Sequence, residues 1–308
     1  MYINSMNNMG YACINMKLSN SKPRVTTNRS MIKRTFTERG LPYASELTLE
    51  NCKDLLTILK WNNDNGFKFF RMSSDIIPWA SEYDLCDLPD YKEIKSVLKK
   101  CGDFATDNNM RITTHPGPFN VLTSPRPHVV ENCIKDLSIH GEVFDMMGLS
   151  RTPYNKINIH IGGAYGDKES AMKRFCENFH RLPDSVKSRL TVENDDKASM
   201  YSVVDLYEGV YKVIGIPIVF DYHHHAFCTG GLSEEDALEV AISTWVDVVP
   251  VVHYSESRSR EYEDPKIRPQ AHSDYIIDYI ETYGNKIDIM VEAKAKELAV
   301  LKYKELHG

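Results

Sequence analysis

The sequence has no long apolar segment and no pattern of paired cysteines. None of its hydrophobic runs reaches about 18 residues, the length that a membrane-spanning helix needs, and the start, MYINSMNNMGY, contains no apolar core of a signal peptide. Its seven cysteines (13, 52, 86, 101, 133, 176 and 228) are never spaced as CxxC, which argues against a disulfide framework or a cysteine zinc site. We therefore expect a soluble, intracellular protein with reduced thiols, no membrane partner and no obligate protein partner.

The chain also lacks the excess of basic residues that is typical of proteins with a general affinity for nucleic acid. Its 308 residues carry a net charge of −6. One segment differs, because residues 17–39 contain seven basic residues and one acidic residue. A solvated loop is the simpler interpretation of that segment when its charge alone is considered.

Low-complexity segments, linkers and short repeats are absent, and β-rich runs alternate with helical patterns instead. The runs lie at 10–16, 67–73, 111–116, 156–163, 189–195, 217–223, 248–256 and 288–294, and amphipathic helices are predicted at 48–66, 90–109, 127–148 and 233–245. Strands that alternate with helices indicate a parallel sheet. Eight such units in 308 residues predict one α/β domain over 1–308, a single (β/α)₈ TIM barrel, rather than an open doubly wound sheet.

Most of the predicted strands end in polar residues of the kind that bind metals. In chain order these are Asn15, Ser73–Ser74–Asp75, His115, His160, Glu193, Asp221 with His224, His253 and Glu292. The carboxyl ends of barrel strands meet on one face, where the active sites of this fold lie. A single histidine at a strand end is more often a hydrogen-bonded core residue, but the set at consecutive strand ends indicates a functional site.

Such a cluster needs cations to be stable. Glu193, Asp221 and Glu292 would repel one another in a pocket of low dielectric constant. Mixed imidazole and carboxylate ligands favour Zn²⁺, Mn²⁺ or Fe²⁺ over Ca²⁺. Since there are more ligands than one tetrahedral ion uses, the sequence predicts two or three ions. Two close ions are typical of enzymes that carry out in-line displacement at phosphorus.

Several motifs resemble those of a known family. In order along the chain they are MGYACIN, TTNRS, FKFFRMSSDIIPWAS, THPG, NIHIGGAYGDK, LTVENDD, VFDYHHHA, HYSE, AH at 271–272 and MVEAKAKE. Together they are similar to the UV damage endonucleases, which are metal-dependent TIM-barrel enzymes of DNA repair related to endonuclease IV. The resemblance extends from about residue 9 to residue 297.

The resemblance implies a DNA repair endonuclease. Such an enzyme cuts the backbone 5′ to UV photoproducts, chiefly pyrimidine dimers, and leaves 3′-hydroxyl and 5′-phosphate ends by multi-metal hydrolysis. The family's metal ligands fall on His115, His160, Glu193, Asp221, His224, His253, His272 and Glu292, with Asp75 in place of a further histidine. Glu193, Asp221, His253 and Glu292 are the implied catalytic residues. Two or three divalent ions are implied, with Mn²⁺ favoured over Mg²⁺ and Zn²⁺.

The partner implied by the resemblance is double-stranded DNA that carries UV lesions. Expected lesion contacts are Tyr11 and Asn15 near the first strand's end and Pro118–Phe119, where the family has Gln–Tyr. Phe119 retains a stacking surface, whereas Pro118 has no side-chain amide. Expected phosphate contacts come from two basic loops and include Arg29, Arg258 and Arg260. A metal-bridging lysine of the family is replaced by Val251, which cannot bind a metal.

The sequence leaves three alternatives open. The same metals could serve an abasic-site endonuclease of the endonuclease IV type. A sugar isomerase of the xylose-isomerase class is also a barrel with metals and carboxylates at its mouth, although it would not need the basic loops. A binding protein on a degenerate barrel would be favoured if the ligands were missing, but only the lysine is plainly absent.

Overall fold

Eight parallel strands, paired in sequence order, close into a barrel in the computed structural model, which describes residues 7–308. The first strand pairs with both the second and the eighth, which completes the ring. The strands are β1 (Met9–Ala12), β2 (Phe69–Met72), β3 (Arg111–Thr114), β4 (Ile157–Ile159), β5 (Leu190–Glu193), β6 (Ile218–Asp221), β7 (Val251–Tyr254) and β8 (Asp288–Val291). The prediction of a (β/α)₈ barrel is confirmed, and each strand lies within or next to its predicted run.

Helices surround this barrel. They are α1 (Met16–Ser19), α2 (Lys33–Asp64), α3 (Tyr91–Asp107), α4 (Pro127–Met147), α5 (Lys168–Phe179), α6 (Asp184–Lys187), α7 (Val203–Leu206), α8 (Lys212–Ile214), α9 (Tyr222–His225), α10 (Glu234–Ser243), α11 (Arg258–Glu261) and α12 (Glu297–His307). A π-helical turn at Tyr207–Tyr211 connects α7 to α8. No helix within residues 7–308 is long and apolar enough to cross a membrane.

Two helical features differ from the sequence prediction. The helix predicted at 48–66, with Thr48 as its expected N-cap, begins much earlier: the Thr48 Oγ1 donates a hydrogen bond to the carbonyl of Ala44 inside α2. The backbone break falls at Gly40, whose φ of 61° and ψ of −155° are not helical. The unit after β7 has only the four-residue α11, followed by a long stretch without a helix as far as β8.

The interior of the barrel changes from apolar to polar toward the carboxyl ends of its strands. At the lower end, Arg111 and Asp288 form a buried ion pair of 2.9 Å. Above it lies an apolar layer made by Ala12, Phe69, Val219, Trp245, Val251 and Met290. Side chains two residues further along these strands, such as Asp221 and His253, then form the polar upper layer, because successive strand residues alternate between the two faces.

Candidate metal centre

Seven of the predicted ligands meet at the upper end of the barrel. They form three overlapping groups in which the ligand atoms lie within 4.8 Å of one another: His115, Glu193 and His253; His160, Glu193 and His224; and Asp221, His253 and Glu292. Glu193 and His253 each belong to two of the groups. The strand ends therefore bring together side chains that are up to 177 residues apart in the sequence.

Glu193 lies at the middle of this arrangement and is almost fully buried. Its Oε2 is 3.1 Å from both His115 Nε2 and His253 Nδ1, and its Oε1 is 3.4 Å from His224 Nδ1. Burial alone would raise the pKa of Glu193. The neighbouring histidines, His253 and His160 foremost, instead hold that pKa well below its usual value. Glu193 is therefore an ionised carboxylate that several imidazoles share.

Glu292 has an internal cation as its neighbour. Arg71 of β2 donates a hydrogen bond to Glu292 Oε1, which also lies 3.2 Å from His253 Nδ1. Burial opposes ionisation, but the charges of Arg71 and His253 lower the pKa of Glu292 well below its usual value. His272 lies further away, with Nδ1 3.9 Å from Glu292 Oε2, and it belongs to none of the three groups among the described residues.

Asp221 connects the end of β6 to the histidine-rich turn that follows. Its Oδ1 accepts a hydrogen bond of 2.8 Å from the His224 N–H and thereby caps α9. Its Oδ2 is buried and has no hydrogen-bond partner among residues 7–308. Burial raises the pKa of Asp221 to about 8; the charge of His224 opposes this rise, and Glu193 and Glu292 add to it. A buried oxygen without a partner, close to two other carboxylates, fits a cation ligand.

Three histidines are oriented through their Nδ1 atoms. His115 Nδ1 is 3.1 Å from the carbonyl oxygen of Pro116, His160 Nδ1 is 3.1 Å from Asp195 Oδ1, and His224 Nδ1 is 2.9 Å from the carbonyl oxygen of Asn194. Oxygen partners of this kind fix the ring and leave Nε2 available for a metal. The donor types and their orientation thus fit divalent ions.

The chain beyond His160 turns sharply to hold this histidine at the mouth. Gly162 has a φ of 107°, a value that L side chains rarely adopt. A Cβ atom at this position would lie only 2.2 Å from Val121 Cγ1. A glycine is therefore required where the loop after β4 approaches the loop after β3.

Two positions that correspond to metal ligands of the family do not join the centre. Asp75 is exposed and lines a cavity of about 290 Å³ beside Phe119, outside the three ligand groups of the described chain. Val251 is fully buried in the apolar layer below the site. The expectation that Asp75 binds a metal has no geometric support here, because the strand ends before Asp75 and its side chain faces solvent.

Tyr11 and Asn15 require a correction. Both side chains are fully buried, so neither offers a surface to DNA in this structure. The Tyr11 hydroxyl donates to Asn62 Oδ1 at 2.5 Å and accepts from Asn15 Nδ2 at 2.9 Å, while Asn15 Oδ1 caps α1. Their positions are explained by the packing of β1 and α1. By contrast, Pro118 is exposed, and the ring of Phe119 is 87% exposed.

The three predicted DNA-binding arginines form ion pairs within the protein. Arg29 lies 2.7 Å from Asp54, and Arg260 lies 2.6 Å from Asp278, so both charges have internal partners. Arg258 is less tightly held, at 3.9 Å from Asp274. Lys22 and Arg24, in the same basic segment as Arg29, are exposed.

Sequence reasoning missed several interior residues of the centre. These are Arg71, Lys156, Asn158, Asn194 and Asp195. Two of them could have been found from the two-residue period of a strand. Asn158 and Lys156 stand two and four residues before His160, so they point into the barrel as His160 does.

The fold and site define the class of protein first: a (β/α)₈-barrel enzyme with a candidate centre for divalent cations at the carboxyl ends of its strands. The model of the family UV-endonuclease UvdE matches residues 7–307, and the chain belongs to this family. The predictions of a DNA repair nuclease and of its family are thereby confirmed.

Individual relatives agree with this assignment. The chain is 35% identical to the UV-damage endonuclease of Schizosaccharomyces pombe (strain 972 / ATCC 24843), over 96% of this chain and 49% of that protein. It is 33% identical to the UV DNA damage endonuclease of Bacillus thuringiensis subsp. konkukian (strain 97-27), over 96% of this chain and 92% of that protein. It thus spans about half the length of the first relative and most of the second.

Solved structures show how far the similarity extends. The crystal structure of SacUVDE superimposes with a TM-score of 0.83 at 31% identity, covering 98% of this chain and 100% of that one. Sugar epimerases and xylose-isomerase-like proteins are similar at 10–14% identity, with TM-scores of 0.50–0.56. At that level of identity, the similarity shows the shared barrel fold alone, and it gives no support to the sugar isomerase alternative.

Proposed function

We propose that this protein is a metal-dependent endonuclease that cuts DNA on the 5′ side of UV photoproducts, chiefly pyrimidine dimers, leaving 3′-hydroxyl and 5′-phosphate ends. One observation carries the proposal. Seven histidine and acidic side chains converge at the barrel mouth in three overlapping groups, in a chain that belongs to the UvdE family.

The proposed ligands are those of the three groups, with Glu193 and His253 shared between groups. Two divalent ions fit this donor set, and Mn²⁺ is favoured, with Mg²⁺ and Zn²⁺ as alternatives, because imidazole and carboxylate donors are mixed. When bound, two close ions stabilise the attacking and leaving oxygens of an in-line displacement at phosphorus. The protein's own contribution is to hold the donors in place through Asp195, Arg71 and the carbonyl oxygens behind His115 and His224.

The proposed partner is double-stranded DNA that carries a UV lesion. Phe119 stands exposed on the loop that begins at His115, close to the mouth of the barrel. An aromatic ring at this position can stack against bases beside an extruded lesion. Lys22, Arg24 and Arg258 are better placed for phosphates than Arg29 and Arg260, because the latter two charges have close internal partners.

The test is incision of a duplex that contains a single defined pyrimidine dimer. The protein is first treated with a chelator, and Mn²⁺, Mg²⁺ or Zn²⁺ is then added back separately. We expect a cut immediately 5′ to the dimer that depends on the added ion, and no cut in the matched undamaged duplex. A matched duplex with an abasic site is assayed in parallel. Cleavage of this duplex without cleavage at the dimer would favour an abasic-site endonuclease and contradict the proposal.

A further inference from the structure

Lys156 carries a buried amine beneath the metal centre. It directly precedes β4, and its side chain is fully buried inside the barrel. Its Nζ atom lies 3.1 Å from His253 Nε2. The hydrogen-bond partner of this amine is thus an imidazole rather than a carboxylate. Burying a lysine without a close anionic partner is unfavourable, so this position calls for an explanation.

His253 is oriented differently from the other histidines of the centre. His115 and His160 direct Nδ1 to an oxygen atom outside the centre, and His224 Nδ1 lies 2.9 Å from the carbonyl oxygen of Asn194, closer than the 3.4 Å that separates it from Glu193 Oε1. In His253 it is Nδ1 that points into the centre, 3.1 Å from Glu193 Oε2 and 3.2 Å from Glu292 Oε1. Its outer nitrogen is Nε2, and Lys156 is the group that contacts it.

The contact with Lys156 determines which edge of the ring faces the carboxylates. A 180° flip of the ring about its bond to Cβ would exchange Nδ1 with Cδ2 and Nε2 with Cε1. A carbon would then face the Lys156 amine, and another carbon would face Glu193 and Glu292, so all three polar contacts would be lost. The hydrogen bond between Lys156 Nζ and His253 Nε2 favours this ring orientation whether Nζ or Nε2 donates the hydrogen.

The contact also spans the interior of the barrel. Lys156 adjoins β4 and His253 belongs to β7, two strands that are not neighbours in the sheet. On β7 itself, the residue that points inward below His253 is Val251, which has no polar atom in its side chain and packs in the apolar layer. A lysine that reaches across from β4 therefore supplies the polar contact that the strand of His253 does not provide.

We infer that Lys156 is a positioning residue of the metal centre, which holds the His253 ring with Nδ1 directed at Glu193 Oε2 and Glu292 Oε1, where a divalent ion would be held. This inference rests on the metal centre of the proposed function. It assigns His253 as a ligand through Nδ1, in contrast to ligation through Nε2 by His115, His160 and His224.

The first test compares two variants for metal affinity in the absence of DNA. Lys156→Met keeps an unbranched side chain of similar length and removes the amine, whereas Val219→Ala removes apolar volume from the layer below the centre and no polar group. Binding of Mn²⁺ is titrated through the electron paramagnetic resonance signal of the free ion. We expect Lys156→Met to weaken one site by about 10- to 100-fold, the usual effect of losing a group that orients a ligand. Val219→Ala should bind as the wild type does.

Equal affinities of the folded Lys156→Met variant and the wild type would overturn the inference. A second measurement tests the orientation of the His253 ring without a variant of Lys156, so the inference can be overturned even if Lys156→Met does not fold. The wild-type protein is labelled with ¹⁵N-histidine, loaded with Zn²⁺ and studied by nuclear magnetic resonance, with His253→Gln used to identify the His253 signals.

We expect the Nδ1 signal of His253 to show metal ligation and its Nε2 to carry the proton. Ligation through Nε2 in the wild type would overturn the inference while leaving the metal centre intact. A wild-type protein that binds no divalent ion would instead overturn the metal centre, and with it this inference, so the two failures can be distinguished.

Discussion

The carboxylate of Asp195 faces the outer nitrogen of His160, with Oδ1 3.1 Å from Nδ1. Burial opposes protonation of this ring, but the charges of Glu193 and Asp195 raise the pKa of His160 to about 9 in the absence of an ion. The pair orients His160, which forms one of the three ligand groups with Glu193 and His224. Sequence analysis identified His160 but not Asp195, two residues beyond Glu193.

The first prediction follows from this pair. Asp195→Asn should reduce metal affinity by about 10- to 100-fold, because an amide orients the ring less strongly than a carboxylate does. Asp136→Asn is the control, since Asp136 lies 3.7 Å from His140 Nε2 in a similar pair outside the centre. Titration of Mn²⁺ into both variants is the measurement. An equal loss in both would mean that the effect is one of general stability.

The second prediction concerns the shared carboxylate. Glu193→Ala should reduce incision by more than the 10- to 100-fold that is usual for groups that only orient ligands. The physical reason is that Glu193 contacts three histidines and belongs to two ligand groups. The barrel should stay folded, as judged by circular dichroism. Wild-type turnover with normal metal content would show that Glu193 is not a ligand.

The number of bound ions is the third prediction. Val251 has no donor atom, and Asp75 is exposed outside the ligand groups. We therefore expect two tightly bound ions per chain, or a third that is lost on dialysis. Elemental analysis of purified, dialysed protein measures this number. Three retained ions would show that a ligand outside the three groups has been missed.

The fourth prediction tests the lesion contact. Phe119→Ala should weaken binding to a duplex with a dimer far more than binding to undamaged duplex, since stacking contributes about 1–3 kcal/mol per base. The fold should be unaffected because the ring is 87% exposed. Val246→Ala truncates another exposed apolar side chain, just before β7 at the opposite end of the barrel, and serves as the control. Equal losses for both duplexes would mean that Phe119 is only part of the groove wall.

The fifth prediction concerns pH and applies to the metal-free protein. Burial is the main reason why the pKa of Asp221 rises from 3.8 to about 8. Because the folded-state pKa lies above the unfolded value, the Asp221 carboxyl contributes its full stabilisation of the folded protein below about pH 4. This contribution is lost as the pH rises through about 8. In chelator-treated protein, the melting temperature should therefore fall between about pH 5 and 8, and Asp221→Asn should flatten this decline. An equally steep decline in the Asp221→Asn variant would mean that other titratable groups cause the fall in melting temperature.

The fold could be predicted because local patterns agree with it. Short β-rich runs such as 217–223 and 288–294 alternate with amphipathic segments, and each run proved to contain or adjoin a strand. The predicted helical segments 127–148 and 233–245 also contain α4 and α10, which Gly148 and Ser233 cap. The start of α2 could not be predicted from the sequence, because a helix with a break at Gly40 has no single N-terminal signal.

The sequence by itself determined which residue types stand at the ends of the strands, and hence the set His115, His160, Glu193, Asp221, His224, His253 and Glu292. Only the tertiary structure decided the rest. The exposure of Asp75, the burial of Tyr11 and Asn15 and the contact of Lys156 with His253 depend on closure of the barrel. Strand periodicity fixes the direction of a side chain, whereas the packing of non-neighbouring strands decides which groups it meets.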